Sequence, residues 1–287
     1  MELISFYLLN ILVGAILSVV LGLYGSHVVA RNKTIETILL GQSIQVGILL
    51  GVILGKLMEI GHNDHGLHLE IIISVLFTCL LYGTYEYVSK GKRFAKTPIL
   101  VSFYTFLVSL SYLIVAISPQ IESHMVKAFL GDIVTASKVE LYVIFGLSLV
   151  FMAFFAIRQN QIKLQSFDLS SFGHLVSSSG KKDYVLFNLI VLSLMIYSIH
   201  VLGIVFTLSM MIFPITISQF TKFTLKQLYT FVIILAPTSV FLGFLLNIKY
   251  ENLPTSSLMV ISYLILGISF VILKRLLSRP YFPTSAS

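Results

Sequence analysis

The sequence predicts an all-α fold, a polytopic transmembrane helical bundle with about nine membrane spans. Of the 287 residues, 57% are hydrophobic and 11% are charged, whereas a soluble domain usually carries about 25% charged residues. Long stretches also lack Asp, Glu, Lys and Arg, and each is long enough for the roughly 20 apolar residues that cross a bilayer as a helix. These stretches are residues 3–30, 97–121, 184–221, 227–248 and 252–273. Because they are continuously apolar and do not alternate, they do not indicate a β-barrel.

The spans follow one another without a linker. The run 184–221 is long enough for two passes, which nearly touch, so we expect one of the two to be short or broken. No Pro- or Ser-rich stretch divides the chain, which we interpret as a single domain over 1–287. The first run lacks a basic start and a small-residue cleavage site, so it is not predicted to be a removable signal peptide. In order, the predicted spans are about 4–30, 36–56, 69–88, 97–117, 139–157, 184–199, 201–220, 227–247 and 257–274.

The basic residues predict the orientation. Fifteen of the 19 Lys and Arg residues fall in alternate loops, and cytoplasmic loops carry the excess of positive charge. We therefore predict an integral protein of the inner (plasma) membrane, embedded in lipid, with its N-terminus outside and its C-terminus in the cytoplasm. That result requires an odd number of spans. The basic residues sit in short loops, so the net charge of +7 does not predict nucleic-acid binding. The basic-rich segments are 31–36, 89–96, 158–183, 221–226 and the tail after Leu273.

The sequence excludes several chemistries. Gly180-Lys181-Lys182 lies at the wrong distance from Gly173 and lacks the Ser or Thr that follows lysine in a P-loop. The chain is therefore not expected to bind ATP in that way or to be an enzyme. Cys79 is the single cysteine, so it predicts neither a disulfide nor a cysteine metal site. The spans hold few ionisable groups and no inverted repeat, which disfavours a secondary carrier working alone.

A few polar residues inside the spans are functional candidates. His27 and His200 lie in apolar runs, where they either bond helices together or line a pathway. Gln42 and Gln45 share their span with several glycines, whose spacing favours close helix packing, with amides bonding across the contact. Pro214 predicts a kink, which fits a broken helix beside a substrate route as well as it fits plain packing. The glycines are Gly41, Gly47, Gly51 and Gly55.

The loop between the second and third spans holds a dense cluster of possible metal ligands. It reads Gly61-His-Asn-Asp-His-Gly-Leu-His, and imidazole and carboxylate groups suit zinc or a related transition metal. Short His-rich tracts bind metals, but this tract has no fixed ligand spacing. Metal capture and a solvated polar loop both remain open. The candidate ligands are His62, Asp64, His65 and His68.

Four segments resemble one family in order and spacing. Gly25-Ser-His-Val-Val-Ala-Arg31 resembles the G-S-F-V-V-x-R-R segment that ends the first helix of the zinc/manganese/iron ABC permease family, the ABC-3 family. Phe129-Leu-Gly-Asp-Ile-Val-Thr-Ala-Ser, Ser166-Phe-Asp-Leu-Ser-Ser-Phe-Gly and Val201-Leu-Gly-Ile-Val-Phe-Thr-Leu-Ser-Met-Met-Ile-Phe-Pro are similar to its L-F-G-D-x-L-x-V-S, F-D-P-E-x-A and V-V-G-x-L-L-x-x-A-L-L-I-x-P segments. The likeness extends from about Gly14 to Leu273, as in a divergent member.

The resemblance implies an ABC importer permease that moves a divalent transition metal such as Zn, Mn or Fe. It implies a second permease protomer, identical or different, two cytoplasmic ATPase subunits that hold the ATP, and an extracytoplasmic substrate-binding protein. No cofactor would be bound by this chain itself. The cytoplasmic loop 158–183 would hold the segment that docks on the ATPase, around Phe167, Asp168, Phe172 and Gly173.

The usual metal pair of that family is missing. Its second helix carries a D-x-x-x-H pair, one turn apart and so on one face, and the matching residues here are Ile38 and Gln42. Lys96 and Asn252 also stand where many members have acidic residues. The departure is open to three interpretations, which are a different or chelated metal, a heterodimer partner that supplies the ligands, and a degenerate structural partner. Our pathway candidates are Ile38, Gln42, Gln45, His200 and Asn252.

Overall fold

The computed structural model describes residues 7–31, 33–57, 65–89, 96–118, 122–168, 178–221, 223–250 and 253–277. Over these ranges the chain forms nine α-helices and no strand, which confirms the all-α prediction. The helices are α1 (Leu8–Ala30), α2 (Thr34–Leu57), α3 (His65–Ser89), α4 (Lys96–Ile117), α5 (Glu122–Leu130), α6 (Lys138–Asp168), α7 (Ser178–Thr221), α8 (Leu225–Lys249) and α9 (Thr255–Leu277).

Eight of these helices are long and apolar enough to cross a membrane. They are all except α5, a nine-residue helix in the connection between α4 and α6 that the sequence analysis does not predict. The protein is therefore an integral membrane protein. Six of the eight correspond to single predicted spans whose bounds differ by a few residues. Helix α7 contains the sixth and seventh predicted spans, and α6 extends well past the end of its predicted span.

Helix α7 makes two passes. Its membrane segment Val185–Thr221 has 37 residues, which would be about 55 Å long as a straight helix and nearly twice the hydrocarbon thickness. Gly203 has φ 79° and ψ 164°, and the Ser198 and Thr207 hydroxyls lie 2.6 Å apart. Nine residues along a straight helix would be about 13.5 Å apart, so the chain reverses at Gly203. The described residues thus make nine passes, the predicted number.

The predicted end of one span is wrong. Helix α6 continues to Asp168, well past the predicted span end at 157, and α7 begins at Ser178. The predicted loop 158–183 is therefore helical over 158–168 and 178–183, because Arg, Gln, Lys and Leu continue a helix into water at little cost. In α7 the non-helical backbone is at Gly203, and Pro214 lies within the second pass. The kink expected at Pro214 stays a prediction.

Close helix contacts explain the glycines of α2. A Cβ added to Gly47 would lie 2.6 Å from Ser74 Cα, and one added to Gly51 would lie 2.6 Å from Glu70 Cα. Any side chain at these positions would push α2 and α3 apart. The two glycines therefore have the packing role that their spacing predicts. Around them, α2, α3 and α4 share one apolar cluster, and a larger cluster joins α1, α6, α7, α8 and α9.

The bundle has two distinct ends. We call the first the Asp132 end, where Asp132 N–H donates to Val201 O at 3.2 Å and Asp132 Oδ1 accepts from Thr255 Oγ1 at 2.8 Å. Asn10, near the start of α1, donates there to Ile133 O at 2.5 Å. The second is the His27 end, where α1 finishes and where the last turn of α9 reaches the last residue of α7. The two ends of the helical chain therefore lie at opposite ends of the bundle, as nine passes require.

Candidate functional site

His200 lies between two carboxylates at the Asp132 end. Its Nε2 is 3.2 Å from Glu140 Oε1, and its Nδ1 is 3.6 Å from Glu70 Oε2. The three residues belong to α7, α6 and α3. His200 and Glu140 are buried at 7% and 5% exposure, and the Glu70 side chain is 20% exposed. We call these three residues the His200 cluster. His200 thus contacts side chains of two other helices, while its role on a pathway stays a prediction.

The start of α6 fixes Glu140. Ser137 N–H donates to Glu140 Oε2 at 2.7 Å, and Glu140 N–H donates to Ser137 Oγ at 3.3 Å. This is a capping box, in which the first and fourth residues satisfy each other's backbone amides. One carboxylate oxygen of Glu140 is held by the cap while the other faces His200. The sequence motif Ser137-x-x-Glu140 is the signal that could have singled out Glu140.

The arrangement at His200 leaves one ring nitrogen open. Nδ1 is buried and makes no hydrogen bond within the described ranges, because its 3.6 Å distance from Glu70 Oε2 is beyond the 2.7–3.2 Å range of such bonds. Within the ranges that the structure describes, no group of three or more His, Cys, Asp and Glu side chains is placed to hold a metal ion. The His200 cluster is thus an ordered acid–imidazole–acid row rather than a closed metal cage.

The three pathway candidates of α2 lie together, at a different depth in the bundle from the His200 cluster. Ile38, Gln42 and Gln45 share one face of α2, and Gln42 and Gln45 are buried. Gln45 Oε1 has no hydrogen-bond partner among the described residues. Gln42 is nine residues before Gly51, the residue of α2 that contacts Glu70, which places it about 13.5 Å nearer the His27 end. Gln42 therefore lies deeper in the bundle than His200, counted from the Asp132 end. The remaining candidate, Asn252, lies outside the described residues.

The structure describes little of the histidine tract between α2 and α3. His62 and Asp64 lie outside the described residues. His65 and His68 fall in the first turn of α3, but their side chains are not described. Metal binding by this tract therefore stays a prediction.

A hydrogen-bonded histidine joins three helices at the other end. His27 Nδ1 lies 2.8 Å from Ser166 Oγ, and its Nε2 lies 2.8 Å from the Tyr229 hydroxyl. The ring is 1% exposed and packs edge-on against Phe155 and Phe187. His27 lies in the Gly25–Arg31 segment that carries the resemblance. The contacts assign it the helix-joining role that we left open.

We expect His27→Phe to destabilise the protein by about 1–3 kcal/mol. The substitution leaves the Tyr229 hydroxyl without its partner, and an unsatisfied buried group costs about that much. Ser166 Oγ loses His27 but keeps its hydrogen bonds with Ile162 O and Arg31 Nε. A second change, Tyr229→Phe, removes the orphaned hydroxyl and should recover part of the loss. The midpoint of thermal unfolding of the detergent-purified protein measures both effects. Equal midpoints for the parent and His27→Phe would contradict the network.

The expected ATPase-docking residues are only partly described. Phe167 and Asp168 are the last two residues of α6, directly after Ser166. Phe172 and Gly173 lie outside the described residues. The His27 network therefore holds the end of the helix that carries Phe167 and Asp168, whose docking role stays a prediction.

A cavity of about 210 Å³ opens beside the His27 end. It lies between α1, α2, α3 and α7, and the sequence analysis does not predict it. Lys33 and Glu36 form an ion pair of 3.0 Å at this place. The α2 residues that line the cavity lie on a different face of the helix from Ile38 and Gln42. The cavity is therefore separate from the face that carries those two residues. Its polar lining residues are Tyr24, Arg31, Lys33, Glu36, Thr37, Thr78, Cys79, Tyr82 and Asn188.

Comparisons with known proteins agree with this architecture. The ABC 3 transport family matches the chain over residues 4–274. Among solved structures, PsaBC from Streptococcus pneumoniae in complex with Fab is similar, with a TM-score of 0.71 and 15% sequence identity. The similarity covers 94% of this chain and 90% of the other. At this identity the likeness speaks for the fold. A comparison with curated proteins finds no match.

Proposed function

The chain belongs to the ABC 3 transport family, and from this premise we propose that it is the permease of an ATP-driven importer that carries a divalent transition metal. The family match over residues 4–274 carries the proposal. The nine passes and the fold likeness to PsaBC support it. The chain is a transport subunit, and its partners are those of an ABC transporter. Zn, Mn and Fe are the metals to test, because imidazole and carboxylate groups suit them.

We further propose the set of partners. A second permease protomer, identical or different, would complete the central pathway. Two cytoplasmic ATPase subunits would bind and hydrolyse ATP, and a substrate-binding protein outside the membrane would deliver the cargo. ATP binding and hydrolysis would rock the two protomers about the pathway in alternating access. Phe167 and Asp168 at the end of α6, followed by Phe172 and Gly173, would dock on the ATPase.

The proposed orientation places the Asp132 end outside and the His27 end in the cytoplasm. Basic side chains near the His27 end support it, since cytoplasmic segments collect positive charge. Arg31, Lys33 and Lys163 lie near the cytoplasmic ends of α1, α2 and α6, and Lys274 donates to Thr221 O at 2.7 Å at the end of α9. The N-terminus would then be outside and the C-terminus inside.

We propose that Gln42, with Ile38 and Gln45, lies on the cargo route inside the membrane. These residues occupy the level at which the family carries its aspartate and histidine. An amide and an isoleucine cannot hold a bare transition metal tightly. This observation favours a second candidate, a chelated metal that needs no direct ligand at this level, and it equally fits ligands supplied by a different partner permease.

The first test is metal-stimulated ATPase activity of the complete complex in lipid. We expect one of Zn, Mn and Fe to stimulate ATP hydrolysis several-fold. Gln42→Ala should abolish that increase, because the smaller side chain leaves an empty space on the buried part of the proposed route. Changing His62, His65 and His68 together to Ala should raise the metal concentration needed if the tract captures cargo. Gly83→Ala is a matched control, since a Cβ there meets no atom within 4 Å.

The result can contradict the proposal in two ways. If no free metal stimulates the complex while a metal chelate does, the chelated cargo replaces the free ion. If neither does, and bulky substitutions at Gln42 leave the activity of the wider assembly intact, the chain is a structural partner rather than a conduit.

A further inference from the structure

We propose that His200 Nδ1 and the Glu70 carboxylate form a transient two-ligand site for a divalent transition metal at the Asp132 end. The site would take an incoming ion before it reaches the Gln42 level. This inference rests on the proposed transport function, but it names residues that the family resemblance does not assign. Glu70 and His200 touch the ion, and Glu140 is a positioning residue.

The ring of His200 is oriented as in a metal-binding histidine. Its Nε2 faces Glu140 Oε1 at 3.2 Å, so the tautomer protonated at Nε2 donates to that carboxylate and carries its lone pair on Nδ1. Histidines that bind metals commonly donate their other ring nitrogen to a carboxylate, which fixes the tautomer and raises the basicity of the ligating atom. Glu140 cannot turn away, because its second oxygen accepts from Ser137 N–H in the capping box.

The spacing of the two donors fits a shared ion better than a hydrogen bond. Bonds of about 2.0–2.1 Å at a tetrahedral angle place two ligand atoms about 3.3 Å apart. The distance between Nδ1 and Glu70 Oε2 is 3.6 Å, within about 0.3 Å of that value. A direct hydrogen bond would be 2.7–3.2 Å long, and Nδ1 makes none with any residue that the structure describes.

The site is built to release its ion. It offers two protein ligands, in keeping with the absence of any larger ligand group among the described residues, and water would complete the coordination. Conduction needs binding that is favourable enough to capture an ion and weak enough to let it leave. Glu70 also lies where α2 and α3 are in closest contact, beside Gly51. Gln42 lies on α2 about two to three turns from Gly51, towards the His27 end.

The experiment is a Co²⁺ titration of the full chain in lipid nanodiscs, followed by absorption spectroscopy. His62, His65 and His68 are changed to Ala beforehand, so that the external tract contributes no signal. We expect one weak site that is lost in His200→Gln and weakened at least tenfold in Glu70→Gln. Glu140→Gln keeps an acceptor for the ring but removes the charge, and we expect about 10- to 100-fold weaker binding, the range for partners of a metal ligand. Glu86→Gln, on the same helix about four turns away, should bind like the parent.

The thermal midpoint of each variant separates binding from folding. Glu70 is the decisive position, since its part-exposed side chain can lose its charge without emptying a buried space. If the parent shows no Co²⁺ site, or Glu70→Gln binds like the parent, the inference is wrong. ATPase activity stimulated by metal in a complex without this site overturns the inference and leaves the transport function. A Co²⁺ site in a complex that no metal stimulates keeps the inference and removes the transport function.

Discussion

Gly203→Ala should prevent the chain from folding. The left-handed φ of 79° at this residue costs about 1–3 kcal/mol for any residue with a side chain. A Cβ there would also lie 2.6 Å from Gly131 N, Leu130 C and Phe129 O, so the reversal of α7 would separate from the end of α5. These costs consume much of the 5–15 kcal/mol by which a protein is typically stable. The yield of monodisperse protein after size-exclusion chromatography measures the effect.

Two helical glycines provide the control for that experiment. A Cβ added to Gly83 or Gly146 meets no atom within 4 Å, so alanine there should leave the yield unchanged or raise the stability by about 0.5–1 kcal/mol. Chromatographic thermostability is the suitable measurement. The single cysteine, Cys79, is exposed, so a thiol-reactive dye would label the folded protein as well. A yield of Gly203→Ala equal to that of Gly83→Ala would contradict the reversal.

Glu140→Ala should destabilise the protein by about 2–4 kcal/mol. The change removes the cap of α6, worth about 0.5–2 kcal/mol, and leaves His200 and the Ser137 amide without their acceptor, at about 1–3 kcal/mol. Because Glu140 is 5% exposed, water cannot replace it. The thermal midpoint in detergent, read by chromatography after heating, should fall by several degrees.

Glu140→Gln separates the hydrogen bonds from the charge. Glutamine also serves as the fourth residue of a capping box, and its amide oxygen can accept from one of the two donors. We expect it to retain most of the stability that alanine loses. Equal losses in Glu140→Ala and Glu140→Gln would mean that the carboxylate charge, rather than the cap, stabilises this end of the bundle.

Much of the fold follows from composition. Charge-free runs of more than 20 residues predict membrane helices, and the length of 184–221 predicts two passes. The predicted boundary between those passes, at residue 200, lies three residues from the turn at Gly203. The left-handed φ of Gly203 could not be predicted, since it depends on contact with Gly131, more than 70 residues away. Helix α5 was missed because nine residues of mixed polarity between two spans carry no clear period.

The candidate site, like the fold, could be predicted only in part from the sequence. His200 is visible in the sequence as a polar residue in an apolar run, and Glu70 lies at the edge of a predicted span. Their pairing depends on how α3, α6 and α7 pack, which no local pattern encodes. Glu140 carries a local capping signal, but that signal does not reveal its second partner. The role of Ile38 and Gln42 comes from a family comparison alone and stays a prediction.

The turn at Gly203 also constrains how the polypeptide enters the bilayer during synthesis. The first pass of α7 carries buried Ser198 and His200, and Ser198 bonds Thr207 of the second pass. No hydrophilic stretch separates the two passes. There is therefore no polar loop between them for the insertion machinery to move across the membrane. The two must therefore partition into lipid together, as one hairpin. A reporter fused between residues 198 and 207 would split that hairpin and report the location of a chain that had not finished inserting.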